Sequence, residues 1–478
     1  MSRRGIAVTV LTVAAFMDLV DVTIVNVALP TMQSDLDASP AQLEWVVGGY
    51  TLALAVLLIT GGRLGDVFGR RTVFVVGVTG FTLASLGAAL AADADLLVAT
   101  RVVQGAFAAM MVPQLLSTIQ VLYEPKERAA IFGMVGAVSG TAAVVGPLLG
   151  GWLVTSDLFD LAWRSVFLIN VPVGIALAVM ALRFVPETRS ERSGRLDVSG
   201  VLLATTGLLL LVYPLVEGRQ RGWPGWVWAM FVASAVVLVA FVLLQRNRER
   251  RDGSSLLPMH LFGDRGFSAG LVAQATFQAA MVGLTLVLTI YVQAGLGFSA
   301  IDAGLMLLPF SLGAFVGVGV SAPLGLRIGK LIPFSGAVLQ AAGALWLARI
   351  VADQGDGLGH QSLLLPLLVA GMGLGLLVVP LIDIALSTVP LRDAGAASGV
   401  YSTIQQVGAA LGVAVIGAVF FDVVDERFTP AALREGLDAA SWWVAGGYLL
   451  CAIATLLLPD RRAVQRHAAE QEALGVVV

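Results

Sequence analysis

Asp18 and Asp21 stand three residues apart in a stretch, 6–29, that is otherwise largely apolar. On a helix this spacing puts both carboxyls on one face. An ionised carboxylate inside a bilayer costs on the order of 3 kcal/mol unless it is paired or hydrated. Two neighbouring acids do not ionise together comfortably, which is the condition for a group that loads and unloads a proton near ambient pH. Asp21 reads equally as such a carrier or as a hydrogen-bonding residue between helices. A third charge, Arg101, lies in LVATRVVQGAFAA (97–109), with Gln104 and Gly105 on its face at i+3 and i+4. A guanidinium stays protonated, so within a membrane it faces water or an acid, or snorkels to the interface. The chemistry available to this set is proton relay. There is no G-x-x-x-x-G-K-[ST], no H-E-x-x-H and no Cys/His cluster, so phosphate-loop and metal chemistry lack residues, and no catalytic or metal site is assigned. GMGLGL (371–376) lies inside an apolar span with no preceding strand and reads as helix packing.

Positioning these charges requires transmembrane helices. Of 478 residues, 58% are hydrophobic and 13% charged, with a mean hydropathy of +0.88; soluble domains carry about 25% charged residues. About 20 apolar residues cross a bilayer. Such stretches number fourteen: roughly 6–29, 42–61, 72–91, 96–120, 130–154, 164–184, 198–217, 225–245, 267–293, 301–322, 331–351, 363–386, 396–420 and 440–458. The first is read as a retained helix, because it holds two acids and lacks a cleavage site. The chain is therefore an all-α polytopic membrane protein. Loops on the amino-terminal side hold 22 of the 29 Lys and Arg residues, which puts both termini in the cytoplasm of a cell-membrane protein. A nucleic-acid partner would need a basic face, and none is available outside short loops. The single cysteine, Cys451, lies in the last span and reads as a structural thiol.

Polar stretches at 186–197 and 246–266 divide the chain into an amino-terminal six-helix bundle (1–185), a middle section with two inserted helices (186–266), a carboxy-terminal six-helix bundle (267–460) and a tail (461–478). The loop GRLGDVFGRR (62–71) and PLGLRIGK (323–330) occupy matching places in the two bundles, as in duplicated transporters. Gly62, Gly65 and Gly69 let the first loop turn tightly. Asp66, among Arg63, Arg70 and Arg71, is placed to take charge-assisted hydrogen bonds. Arg327 stands where the second loop would carry its acid. In the second bundle, Asp383 is the acid clearly inside a span, Gln274 and Gln278 form a polar stripe, and Gln405 with Gln406 offer a similar surface or helix–helix hydrogen bonds.

Four segments resemble a known family. GRLGDVFGRR is similar to G-x-L-x-D-x-x-G-R-R/K of the major facilitator superfamily. Residues 97–109 resemble its fourth-helix pattern, departing at Phe107. AAVVGPLLGG (142–151), with Gly146, Pro147, Gly150 and Gly151, resembles the fifth-helix pattern of its exporters, departing at Ala142. WRSVFLINVPVG (163–174) is similar to a segment of fourteen-span members. With the span count, the chain resembles the fourteen-helix drug/proton antiporters of that superfamily. The resemblance implies two six-helix bundles plus two inserted helices, alternating access around a midplane cavity and a proton gradient in place of any cofactor. It implies a proton-coupling role for Arg101, with Asp21 part of the family pattern and Asp18, outside that pattern, added as a proton or substrate group by its spacing, and a conformational latch at Gly62, Asp66, Gly69, Arg70 and Arg71. A substrate cavity would be lined by Asp18, Asn26, Gln104, Gln274, Gln278, Asp383 and Gln405. The expected protein is no enzyme but a monomeric exporter of hydrophobic or amphipathic, cationic or neutral drugs or antibiotics. The alternatives are a dedicated exporter of one metabolite or self-made antibiotic and, from another class, a polytopic enzyme acting on lipid-linked substrates.

Overall fold

The computed structural model describes residues 3–156, 161–189, 197–218, 221–251, 255–298, 306–354, 360–424 and 429–459. Among them run fourteen long helices: α1 (Arg3–Leu36), α2 (Pro40–Phe68), α3 (Arg70–Ala89), α4 (Ala94–Leu122), α5 (Pro125–Ser156), α6 (Ala162–Phe184), α7 (Val198–Glu217), α8 (Gly225–Arg251), α9 (Arg265–Ile290), α10 (Leu308–Ile328), α11 (Leu331–Gln354), α12 (Leu364–Ser387), α13 (Ala394–Val424) and α14 (Pro430–Leu456). Twelve are long and apolar enough to cross a membrane, and the other two, α5 and α10, carry the shorter apolar stretches Val145–Ser156 and Leu308–Ser321. Each of the fourteen expected spans overlaps a helix, the tenth from Leu308 onward, and α7 coincides with its span. Most of the others overrun their apolar stretches at one end or both, as α1 and α8 do into their arginines, because a helix continues while its backbone bonds are satisfied, beyond the point where hydropathy ends. The tail 461–478 lies outside the described residues, as does the side chain of Arg327.

Local chemistry starts the helices. Ser39 accepts from the Gln42 N–H while the Gln42 side chain accepts from the Ser39 N–H, with Pro40 next in line: a capping box opening α2. Asp93, Asp197, Asp264 and Thr429 cap α4, α7, α9 and α14 through N–H groups of the first turn.

The chain forms two compact units. The first comprises Met1–Glu124, Val138–Met259 and Pro390–Thr403; the second comprises Pro125–Ala137, His260–Val389 and Ile404–Val478. The inserted α7 and α8 belong by contact to the first. Its apolar core joins Val20, Ile24, Val25, Ala28 and Met32 of α1 to Trp163 and Phe167 at the start of α6. In the second, Ala269, Ala273 and Phe277 of α9 pack with Ala337, Leu347, Leu377, Tyr448 and the buried Cys451. Alanines recur in both cores, letting helix backbones approach where lipid supplies no hydrophobic drive.

Candidate functional site

The acids of α1 lie one helical turn apart and have different partners. Asp21 is fully buried. Its Oδ2 accepts from Arg101 Nη1 at 2.5 Å, and its Oδ1 accepts from Asn170 Nδ2 at 2.7 Å and Gln104 Nε2 at 3.0 Å. Arg101 is itself spoken for: Nε donates to the Val46 carbonyl at 3.0 Å, Nη1 also to Gln104 Oε1 at 2.6 Å, and the guanidinium lies 4.3 Å from the Tyr50 ring centre. Ser85 Oγ accepts from Gln104 at 2.7 Å and Asn170 at 3.3 Å. Five helices, α1, α2, α3, α4 and α6, meet at this network. Asp18, also buried, takes its hydrogen bond from the Tyr50 hydroxyl.

Chemically the two carboxyls are unequal. Asp21 faces a full positive charge and two amides, so protonating it would break an ion pair and leave Arg101 uncompensated, a costly arrangement in a low-dielectric interior. Asp18 faces one neutral hydroxyl, which can donate to a carboxylate or accept from a carboxylic acid. It can exchange a proton without breaking an ion pair. Tyr50 links the two, bonded to one acid through its hydroxyl and to the arginine through its ring.

A second buried pair closes the turn between α2 and α3. Asp66 Oδ1 accepts from Arg70 Nη2 at 2.7 Å and from the Gly395 N–H at 3.1 Å; Oδ2 accepts from the Ala396 N–H at 2.9 Å. Those N–H groups open α13, where backbone donors lack helical partners and the helix dipole favours an anion. Gly62 is pressed against this turn, and a Cβ there would stand 2.2 Å from the Gly395 carbonyl oxygen. Gly69 holds φ at +101° between the helices, a region open to glycine. Arg71 points elsewhere: it lies 3.5 Å from Glu187, whose carboxylate also accepts from the Arg71 and Thr72 N–H groups and caps α3. Arg70 N–H donates to the Thr188 carbonyl at 2.8 Å.

On α5, Gly146 and Gly150 face α1. A Cβ on Gly146 would lie 1.9 Å from Thr23 Oγ1 and one on Gly150 2.8 Å from Ile24 Cγ1, whereas one on Gly151 would meet nothing within 4 Å and Pro147 is exposed. The same helix that carries both acids is therefore held backbone-close by α5.

The expected cavity residues separate. Gln104 is spent inside the Asp21 network. Asn26 is exposed beside a pocket of about 360 Å³ shared with Glu44, Trp45, Tyr213 and Glu217. In the second unit, Gln274 and Gln278 are buried on α9, Gln405 is exposed on α13, and Asp383 is half-buried on α12, within electrostatic reach of Arg128. Sequence reasoning singled out neither Tyr50, Ser85 nor Glu187, and placed Asn170 only as a letter of a pattern. An aromatic, a serine and an amide in apolar helices carry no periodic signal; the resemblance of the segment 163–174 around Asn170 was the one available pointer.

The Major Facilitator Superfamily family model matches residues 11–199 and 195–413. The chain is 41% identical over 472 residues to a probable actinorhodin transporter of Streptomyces coelicolor, covering 98% of this chain and 82% of that one. It is 37% identical to a puromycin resistance protein of Streptomyces alboniger, covering 96% and 92%. Among solved structures, the human organic anion transporter MFSD10 superposes with a TM-score of 0.64 at 17% identity, over 95% of this chain and all of the other.

Proposed function

Because the chain belongs to the major facilitator superfamily, we propose that it is a proton-driven exporter of hydrophobic or amphipathic antibiotics or drugs, cationic or neutral, working by alternating access. It would sit in the cell membrane with both termini cytoplasmic, as the sorting of its arginines demands, and need no cofactor beyond the proton gradient. The observation that carries the reading is the paired arrangement on α1: an acid locked to Arg101 at position 21, and one turn away an acid free of any ion pair at position 18.

In this reading Asp18 is the proton carrier and Asp21 the fixed charge that holds α1 in register. A proton arriving from outside neutralises Asp18, reverses its hydrogen bond with Tyr50 and removes a negative charge that a cationic substrate would use. The disturbance reaches Arg101 through the Tyr50 ring and the α5 interface through Thr23 and Ile24. Asp66 on the α13 terminus is the latch that opens and closes with the cycle. Each proton moving inward brings about 2.3 kcal/mol per 100 mV.

Breadth of substrate has two readings. Acidic cavity residues suit a range of cations, the multidrug reading. The two relatives, each described by a single antibiotic, favour a dedicated exporter on the same scaffold.

The test is efflux of a fluorescent cation, with and without a protonophore, for wild type, Asp18→Asn and Asp21→Asn. Protonophore-sensitive efflux that is lost in Asp18→Asn, in a variant that still folds, supports the assignment. Efflux that survives in Asp18→Asn moves the proton elsewhere. A folded wild type that exports no cation, yet protects cells against one antibiotic, selects the dedicated exporter.

A further inference from the structure

A second cavity, of about 450 Å³, lies within the first unit where four helix ends meet. Arg3 and Arg4 open α1, Arg71 opens α3, Leu122 ends α4, and Arg183 with Phe184 ends α6, all lining it together with Val185 and Pro186. Four arginines therefore line one space with an apolar wall. Arg71 has Glu187 at 3.5 Å; Arg3, Arg4 and Arg183 have no carboxylate partner among the described residues. Nothing in the proposed transport cycle uses this cluster.

We propose that this cavity holds the phosphate of an anionic phospholipid headgroup. Chemistry selects the class: guanidinium groups match phosphate oxygens in geometry and charge. Location selects the source. The arginines stand where the apolar spans of α1, α3 and α6 begin or end, the depth of the headgroups, on the side whose basic pockets meet anionic lipid. Beneath Arg183, α6 exposes Ile175, Val179 and Leu182 at i, i+4 and i+7, a stripe along which an acyl chain can lie while its phosphate reaches the arginines. A free phosphate would gain nothing from that stripe or from the Phe184–Pro186 wall. Since Arg71 adjoins Arg70, the partner of Asp66, an occupied site also bears on the loop that forms the latch. The inference rests on the membrane placement and not on what the chain exports.

The test is native mass spectrometry of the full chain released from detergent with added phosphatidylglycerol or phosphatidylcholine, with inorganic phosphate as competitor. Wild type is compared with Arg183→Gln alone, with Arg3→Gln/Arg4→Gln/Arg183→Gln, and with Arg250→Gln as a distant arginine control. Near an anionic surface each arginine contributes about fivefold in affinity. The expected result is a retained phosphatidylglycerol adduct on wild type and Arg250→Gln, reduced about fivefold in the single variant and roughly a hundredfold in the triple if the arginines act independently. Equal retention of phosphatidylcholine on wild type, or phosphatidylglycerol retained equally by the triple variant, overturns the site. Displacement of the lipid by millimolar inorganic phosphate overturns the lipid assignment. The wild-type comparison of the two lipids stands even if the triple variant fails to fold.

Discussion

The interiors of the two units are built on different chemistry. Among the described residues, every charged side chain more than nine-tenths buried belongs to the first unit: Asp18, Asp21, Arg63, Asp66, Arg70, Arg101, Asp197, Glu217 and Asp393. The polar side chains buried as deeply in the second are uncharged: Gln274, Gln278, Ser321, Gln340, Ser441 and Thr455. Buried ion pairs add directional bonds to the first interior, and shape carries the second. Glycine–backbone contact is common to both: Gly61 and Gly105 in the first, like Gly313, Gly336 and Gly371 in the second, sit with neighbouring backbones where any Cβ would stand within 3 Å of them. A duplicated architecture has thus placed its deeply buried charges in one unit, and helix packing with uncharged polar side chains fills the other.

That contrast can be broken at its centre. Arg101→Ala leaves Asp21 buried without its cation, and one-sided removal of a buried pair costs about 3–5 kcal/mol; a large drop in unfolding temperature and in yield of folded protein is expected. Asp21→Asn/Arg101→Gln, which removes both charges, should recover much of that loss while restoring no transport. A double variant as unstable as Arg101→Ala would show that the network is held by shape after all.

Asp66→Asn tests the second buried pair. It gives up charge-assisted bonds to Arg70 and to two N–H groups of α13, each worth about 1.5–3 kcal/mol when made to a charged group. Faster hydrogen exchange in residues 394–398, with little change in α9 and α14, is the expected signature.

The second unit offers the opposite experiment. Gln340 is wholly buried on α11, and neither atom of its amide has a hydrogen-bond partner. Gln340→Met should raise the unfolding temperature, by about 1 kcal/mol in stability, because a buried unbonded amide is costly and the thioether fills similar space. A loss of stability would mean that this interior also depends on polar bonding.

The smallest effect concerns Asp197 at the start of α7. Burial pushes its carboxyl up, but Gln245, the Gly200 N–H, Ser199 and Arg248 outweigh that and hold it below the ordinary 3.8. An acid lowered on folding contributes stability above its unfolded value and loses it as pH falls through the folded one. Wild type should therefore lose its advantage over Asp197→Asn below about pH 4, and the two thermal unfolding curves should converge there.

Hydropathy located the helices but left their rotation open. The position of α7 follows from 198–217 alone, because turn residues and polar runs bound a uniformly apolar stretch. Asp21 and Arg101 were each conspicuous as charges in apolar surroundings. Their pairing spans 80 residues, and no local periodicity encodes a partner on another helix. Tyr50 is invisible for a further reason: a tyrosine in an apolar span reads as packing until a carboxyl is found at its hydroxyl. Glu187 fell in a stretch read as a linker, since capping α3 from 116 residues away leaves no spacing pattern. The substrate-cavity residues were the least legible, because amides such as Gln104 and Gln278 look alike whether they line a void or bond to a neighbouring helix.

The bonds between Asp66 and the first turn of α13 join residues 329 and 330 positions apart. At a synthesis rate of about 5–20 residues per second, that carboxylate leaves the ribosome roughly 20–60 s before its two backbone donors exist. For that interval its ion pair with Arg70, four residues on, is the local means of neutralising it. The pair is thus a provisional bond of the nascent chain as well as a part of the finished protein, and its completion marks the moment at which the thirteenth helix has arrived.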